Sequence, residues 1–292
     1  MCIRDSRDPD ASAFLDRTEA YLLQREAENN VILGFATRAR DRGGPDDDAY
    51  LAVTDGPGVV LAALRLSGDR LLISALAADT DPARPIEMLA TALVDSDPGL
   101  DAVESEATLA AAFARRWTAM TGRAARLEFG ERLFELSRVS PPRHPAAGTW
   151  REATPDDVPL LAQWLIAFAQ EALPGSGPAD DPIAFAARWM AASGTTPYFW
   201  TADGERVSMA AARAPTPHGI RISAVYTPPE LRGRGYATAL VAAVSQQQLD
   251  AGRRAVFLFA DRANPTSNRI YASIGYVPVC DVDRYRFSGG GA

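Results

Sequence analysis

A chain of 292 residues is long enough for two ordinary domains, and 47% hydrophobic with 23% charged residues is a globular balance. A net charge of −7 argues against nucleic acid as a general partner and suits a cationic one such as an amine. No apolar run approaches the roughly 20 residues needed to cross a bilayer, and two cysteines with two histidines supply neither a disulfide framework nor a metal-ligand cluster.

The chain opens on Met1-Cys2-Ile3-Arg4-Asp5-Ser6, which has no secretory pattern and fits none of the elements after it. These six residues read as foreign to the natural chain, and a cytoplasmic protein is expected. β-rich runs follow at 50–53 and 59–66, divided by Asp55-Gly56, a hairpin signal. A third strand over 70–76 feeds a helix, then a strand over 101–104, another helix and closing strands. Ser140-Pro141-Pro142-Arg143-His144-Pro145-Ala146-Ala147-Gly148 reads as a linker.

Beyond it, Thr154-Pro155-Asp156-Asp157 supplies an N-cap, a proline at the first helical position and an acidic first turn. Leu160, Leu161, Trp164, Leu165 and Phe168 then recur on one helical face. A second helix is expected from Pro182 through Phe185, Trp189 and Met190 to Gly194, its aromatic residues in the core. Between the two, Pro174-Gly175-Ser176-Gly177-Pro178 reads as a mobile edge of an acceptor pocket. Strands follow at 199–202, 207–213 and 219–227, a helix through Thr238 to Val244, a strand over 254–260, and a helix from Asn264 that stops at Gly275.

The two halves share a plan. Asp55-Gly56-x-x-Val59-x-x-Ala62-Ala63-x-Arg65 recurs 148 residues later as Asp203-Gly204-x-x-Val207-x-x-Ala210-Ala211-x-Arg213, and Ile73-Ser74-Ala75 recurs 149 later as Ile222-Ser223-Ala224. This division gives a first domain over 1–140, a linker over 141–149 and a second domain over 150–292. Antiparallel hairpins leading into strand, helix, strand imply an α/β or α+β fold with a mixed, mainly antiparallel central sheet flanked by helices.

The most informative segment is Arg232-Gly233-Arg234-Gly235-Tyr236-Ala237, which joins a strand to a helix. Glycines let main chain approach a ligand, a helix N-terminus offers unpaired N–H groups, and arginines add charge, so the turn reads as a diphosphate cradle. It has neither the P-loop nor the Rossmann spacing. In the first half the same position is Ala78-Asp79-Thr80-Asp81-Pro82, acidic and without glycine, which would repel a diphosphate.

Arg232-x-x-Gly235-x-Ala237 resembles the acetyl-CoA pyrophosphate loop of the GCN5-related N-acetyltransferase (GNAT) family. Asn264, followed by Tyr271-x-x-x-Gly275-Tyr276, is similar to that family's second cofactor motif. The resemblance covers roughly 149–287 and implies two tandem copies of the GNAT fold, the first degenerate and without a cofactor loop. It further implies that Val225 and Thr227 offer main-chain groups to the pantetheine arm and the acetyl carbonyl. Arg232, Gly233, Arg234, Gly235, Tyr236 and Ala237 would hold the pyrophosphate, and Asn264 would fix the pantetheine amides with Ser267 and Asn268 close by. Tyr271 would be the general acid toward the CoA thiolate. The position of Tyr271 falls on Thr118 in the first half.

Direct transfer needs a neutral amine, and Glu171 and His218 are the candidate bases. The expected activity is transfer of acetyl from acetyl-CoA, without a metal, to a small-molecule amine or a protein amino group. The alternatives are an acyl-CoA sensor without turnover or a transferase with another acyl donor. Neither nucleic acid nor membrane is expected as a partner, and the chain would be a monomer with pseudo-dimeric halves or a homodimer.

Overall fold

The computed structural model describes residues 3–42, 47–68, 70–172 and 180–289. They form two compact units, Met1–Leu133 with Val279–Ala292, and Phe134–Pro278. The first contains β1 (Ile3–Asp8), α1 (Ala11–Leu22), α2 (Glu26–Arg42), β2 (Ala49–Asp55), β3 (Gly58–Arg65), β4 (Leu71–Ile73), α3 (Ala83–Ser96), β5 (Ala102–Glu106), α4 (Ala107–Thr121) and most of β6 (Ala124–Leu136). The second contains β7 (Thr149–Glu152), α5 (Val158–Ala172), α6 (Pro182–Ala191), β8 (Thr196–Ala202), β9 (Glu205–Arg213), β10 (Gly219–Tyr226), α7 (Tyr236–Asp250), β11 (Ala255–Asp261), α8 (Pro265–Ser273) and the start of β12 (Val277–Ser288). The same order of strands and helices occurs twice along the chain.

Two features of the first unit differ from the sequence reading. Ile3–Asp8 is a strand of the sheet, antiparallel to β2 from Ile3↔Asp55 to Asp8↔Tyr50, where the sequence reading placed no element. Strand pairing is main-chain chemistry, and six residues with little apolar content leave no periodic signal for it. The closing residues Val279–Ala292, placed with the second half by the division at 141–149, group with the first unit. There β12 runs antiparallel to β5 from Val282↔Glu106 to Arg286↔Ala102, and Phe287 is buried with its ring 6.0 Å from that of Trp117. The first unit's strand order is β1-β2-β3-β4-β5-β12-β6.

In the second unit the order outward from β11 is β11-β10-β9-β8-β7, all antiparallel except the β10–β11 pair. One face packs on α7, where Ile220, Ile222, Leu258 and Ala260 meet Leu240, Val241 and Val244. The other packs on α5 and α6, where Phe199, Met209, Ala224 and Tyr226 meet Leu161, Trp164, Leu165 and Ala186. The apolar face expected for α5 is therefore its core face, whereas Phe185 of α6, expected inside, is 41% exposed beside Ile183 at 49%.

The entry to α5 is held by one buried carboxylate. Asp157, 3% exposed, closes a capping box with Thr154 and receives both guanidinium nitrogens of Arg151 at 2.7 and 2.8 Å. The hydrogen bonds from Arg151, followed by those from Thr154, hold its carboxyl well below the usual range. Its stabilisation is therefore present above the unfolded-state pKa near 3.9 and lost as pH falls through that of the folded state. Asp157→Ala is expected to lower unfolding free energy at neutral pH by about 3 kcal/mol, since it strands a guanidinium and removes a cap. Urea titrations of both proteins should converge in strong acid; equal midpoints at neutral pH would refute the assignment.

Candidate functional site

The second unit opens where β10 and β11 stop pairing. They are joined only over Gly219↔Ala255, Ile220↔Val256 and Arg221↔Phe257, although both strands run on, to Tyr226 and Asp261. A β-bulge on the other side of β10 contributes to this. Ser223 faces Ala211 and Tyr226 faces Met209, so Ala224 and Val225 together oppose Ala210. Ala224 takes φ +51, a left-handed conformation in a non-glycine residue that costs about 1–2 kcal/mol. The bulge switches faces along β10, since Ile222 lies in the α7 core while Ala224 and Tyr226 lie in the α5 core. Strained backbone of this kind clusters at ligand sites, which makes the splayed strand end the candidate cleft.

The glycine turn follows at once. Gly233 and Gly235 have φ +77 and +80, and Gly235 is the N-cap of α7 without any side-chain cap. The first N–H groups of α7, those of Tyr236 and Ala237, lack an intrahelical acceptor and have no side-chain cap among the described residues, with the partial positive charge of the helix end behind them. Arg232 and Arg234 are exposed on the turn. Arg232 donates to both carboxylate oxygens of Glu171 at 2.8 and 2.7 Å and, through Nε, to the Thr227 carbonyl at 2.9 Å. Its guanidinium also lies 5.8 Å from the centre of the Tyr226 ring. It therefore ties the end of α5 to the end of β10.

At the end of β11, α8 begins with Asn264 as N-cap, its Oδ1 accepting the Ser267 N–H at 3.1 Å. Asn268 donates through Nδ2 to the carbonyls of Asp261 and Asn264 at 2.9 and 2.7 Å. Its Oδ1 is buried and has no partner among the described residues. Tyr271 is 7% exposed, with its ring edge-on to Phe134 at 6.2 Å and to Tyr276 at 6.0 Å. Burial pushes its phenol up to about 12.

The structure thus gathers Val225, Thr227, the Arg232–Ala237 turn, Asn264, Ser267 and Asn268 at the C-terminal ends of two adjacent strands, with Tyr271 on the helix that follows. It separates the two candidate bases. Glu171 is at the cleft rim with both oxygens engaged by Arg232. His218 precedes β10, seven residues from Val225, which at about 3.3 Å per residue puts it roughly 23 Å away at the opposite end of the strand. It is not a base for chemistry at this cleft. The segment 174–178, expected as a mobile edge, lies outside the described residues.

Two groups at the cleft carry no motif. Ser223 Oγ is buried without a partner among the described residues, and Arg221 lies over the Phe259 ring. A comparison of the halves provides the signal for Ser223. Its counterpart Ser74 accepts the Ala62 N–H at 2.9 Å and lies 3.1 Å from the Tyr21 hydroxyl, so the same serine is satisfied in one unit and orphaned in the other.

The first unit's corresponding end is filled by its own side chains. Asn29 Oδ1 accepts the Ala75 N–H at 2.9 Å, and the single hydroxyl proton of Tyr21 has the carbonyls of Val60 and Ala75 within reach as acceptors. At the N-terminus of α3, Asp81 accepts the Ala83 N–H at 3.0 Å, and Pro85 has no N–H to offer. Several main-chain groups at this end of the first unit are thus engaged by its own side chains. Among the described residues no group of three His, Cys, Asp or Glu could hold a metal ion, and no helix is long and apolar enough to cross a membrane.

Comparison with known proteins agrees with this geometry. Residues 161–276 match the model of the Acetyltransferase (GNAT) family. No curated protein matches the chain. Among solved structures, a Drosophila protein aligns with TM-score 0.69 at 10% identity, covering 98% of each chain. A tandem GNAT protein from the clavulanic acid biosynthesis pathway aligns with TM-score 0.58 at 15% identity, covering 100% of this chain and 99% of its own. A GCN5-related N-acetyltransferase from Sphaerobacter thermophilus aligns with TM-score 0.57 at 18% identity, covering 97% of this chain and 95% of its own. At such identities the likeness is one of fold, a mixed sheet flanked by helices, and the family assignment rests on the matched segment. The splayed strands, the left-handed glycine turn and α8 all fall within 161–276, and this part of the chain is a domain of the GNAT acetyltransferase family.

Proposed function

We propose that the second unit binds acetyl-CoA in the β10–β11 cleft and transfers the acetyl group to a primary amine by direct attack. The observation that carries this is the coincidence, at one end of one strand pair, of unpaired main chain, a helix N-terminus with two left-handed glycines, and the orphaned Asn268 Oδ1. A diphosphate fits the first N–H groups of α7, and an amide N–H of the pantetheine arm fits Asn268 Oδ1, which needs a donor. When bound, acetyl-CoA supplies an activated thioester. The chain's own residues do the rest.

Val225 main chain orients the pantetheine arm beside the bulge. Thr227 contributes its N–H, because its carbonyl is held by Arg232. Arg232 acts through that bridge, holding the strand end and α5 in register, while Arg234 adds charge to the cradle. Tyr271 stays a neutral phenol throughout the physiological range. With its pKa near 12 against a thiol near 8.5, full proton transfer is uphill by about 5 kcal/mol, so the phenol stabilises the departing sulfur as a hydrogen-bond donor. The acceptor enters as the neutral amine, having lost its proton to solvent; as the N–C bond forms and the C–S bond breaks, the nitrogen gives up a second proton to solvent, from which the released thiolate is protonated, and turnover should rise about tenfold per pH unit below the amine's own pKa.

The first unit, its corresponding groups satisfied internally, binds no acyl-CoA, so the chain takes one cofactor. The test is calorimetric binding of acetyl-CoA together with release of free thiol over a panel of amines. One equivalent bound and thiol released only with an amine is the expected result. Two equivalents would overturn the reading of the first unit, binding without release would make the cleft a sensor, and no binding would remove the assignment.

A further inference from the structure

We propose that Ser208 is a positioning residue for the transfer, fixing the main-chain N–H of Thr227 that receives the thioester carbonyl. The inference rests on the acetyl-transfer reading above and adds to it a residue that no motif marks.

Ser208 is set apart by its surroundings. It is 0% exposed and the only polar residue in the buried run 207–212 of β9, among alanines whose size it nearly shares. A hydroxyl carried into a sheet core costs free energy unless it is hydrogen-bonded, so its partners carry the information.

Both partners belong to the end of β10. Ser208 Oγ donates to the Tyr226 carbonyl at 3.0 Å and lies 2.9 Å from Thr227 Oγ1. Only the serine can donate to the carbonyl, and this uses its single proton, so the Thr227 hydroxyl is the donor in the second bond. A chain thus runs from Thr227 through Ser208 to the Tyr226 carbonyl, and each bond in such a chain strengthens the next.

Direction follows from the peptide group. β9 lies on one side of β10, with Met209 opposite Tyr226, and Ser208 reaches the Tyr226 carbonyl from that side. The carbonyl of Tyr226 and the N–H of Thr227 belong to one trans peptide and point in opposite directions. The Thr227 N–H is therefore aimed away from β9, toward the side where β11 stops pairing after Arg221↔Phe257. That side is the cleft. The following carbonyl, that of Thr227, is bonded by Arg232, so the carbonyls on both sides of this N–H are pinned by side chains.

Such a clamp supplies a donor that need not turn during the reaction. As the nitrogen attacks, an electron pair of the thioester C=O moves onto oxygen, and it returns as the C–S bond breaks. A donor already aimed and polarised stabilises that oxygen more in the transition state than in the bound thioester, which raises kcat rather than affinity. The first unit provides the contrast. The residues 148 and 149 positions before Ser208 are Val60 and Val59, so in either register of the repeat the hydroxyl is missing from the unit without a glycine cradle.

The test uses the whole chain. Infrared difference spectra of acetyl-CoA, isotopically labelled at the carbonyl and bound without amine, read the hydrogen bond, and steady-state assays with saturating amine read its effect. In the parent the bound carbonyl should absorb at lower frequency than in free acetyl-CoA. Ser208→Ala should move it back toward the free value and lower kcat by about tenfold to thirtyfold, with the KM for acetyl-CoA within about threefold. The loss is smaller than for removing an oxyanion donor outright, because the N–H itself remains. Thr227→Val keeps the N–H and removes only the far end of the chain, so it should lose about twofold to fivefold in kcat and part of the frequency shift. Ser105→Ala is the control, a buried strand serine of the first unit that donates to the Ile73 carbonyl at 3.0 Å, and it should leave both readouts as they are. A folded Ser208→Ala with kcat within threefold of the parent, a bound carbonyl frequency that is the same in both, or an equal loss in Ser105→Ala would each overturn the proposal. Should Ser208→Ala fail to fold, a Thr227→Val variant unchanged in both readouts would do so. A parent that binds no acetyl-CoA would instead strike the acetyl-transfer reading.

Discussion

Gly235→Asp is expected to abolish acyl-CoA binding, by at least a hundredfold in affinity, while leaving the second unit folded. Gly235 sits at φ +80 as the N-cap of α7, and a side chain there costs about 1–2 kcal/mol in conformation, least for aspartate and asparagine. The new Cβ would meet Ala146 Cβ at 3.7 Å and the His144 carbonyl at 3.9 Å, ordinary contacts that demand no rearrangement. Stability should therefore fall little. What changes is the ligand side. A carboxylate at the N-terminus of α7 takes up the helix-end field and N–H groups that would otherwise receive a diphosphate, and it repels the incoming anion.

The chain already contains this arrangement. In the first unit Asp81 accepts the Ala83 N–H at the start of α3, so the substitution would give α7 the electrostatics of α3. Gly235→Ala separates the two contributions, carrying the backbone strain without the charge, and should lose only about tenfold. Isothermal titration with acetyl-CoA, paired with melting curves, distinguishes the outcomes. Affinity within threefold of the parent in the aspartate variant would show that the diphosphate is held elsewhere.

How much of this was legible in the sequence depended on whether a feature is written in side chains or in main chain. The hairpins announced themselves through Asp55-Gly56 and Asp203-Gly204, and the observed register puts β2 against β3 and β8 against β9. The turn Arg232–Ala237 was legible because left-handed backbone requires glycine, which leaves a composition signal. The strand role of Ile3–Asp8 and the grouping of Val279–Ala292 with the first unit were not, because strand pairing is decided by tertiary partners rather than by local pattern. The bulge at Ala224 was equally invisible, since alanine is an unusual choice for φ +51 and nothing local marks it. Glu171 and His218 illustrate the remaining difficulty. Both are acid–base residues by type, but only the strand direction shows that one is near the cleft and the other at its far end.

Tyr271→Phe is expected to reduce kcat by about a hundredfold with little change in the KM for acetyl-CoA, the scale of losing one positioned donor in the transition state. Phenylalanine keeps the ring that packs edge-on against Phe134 and Tyr276, so the variant should melt close to the parent. The pH dependence supplies a second readout. Burial raises the Tyr271 pKa from 10 to about 12, so the folded protein favours the neutral phenol and the hydroxyl remains a donor well above neutrality. Its deprotonation therefore cannot cause a decline in rate below about pH 10. The parent profile should rise with the free-amine fraction and then level, and the phenylalanine variant should follow the same shape at a lower height. An alkaline limb near neutrality that vanished in the variant would mean that Tyr271 ionises during turnover. Should the variant instead retain more than about a tenth of the parent kcat, Tyr271 would be a core residue beside the cleft, and the departing sulfur would have to draw its hydrogen bond from main chain or solvent.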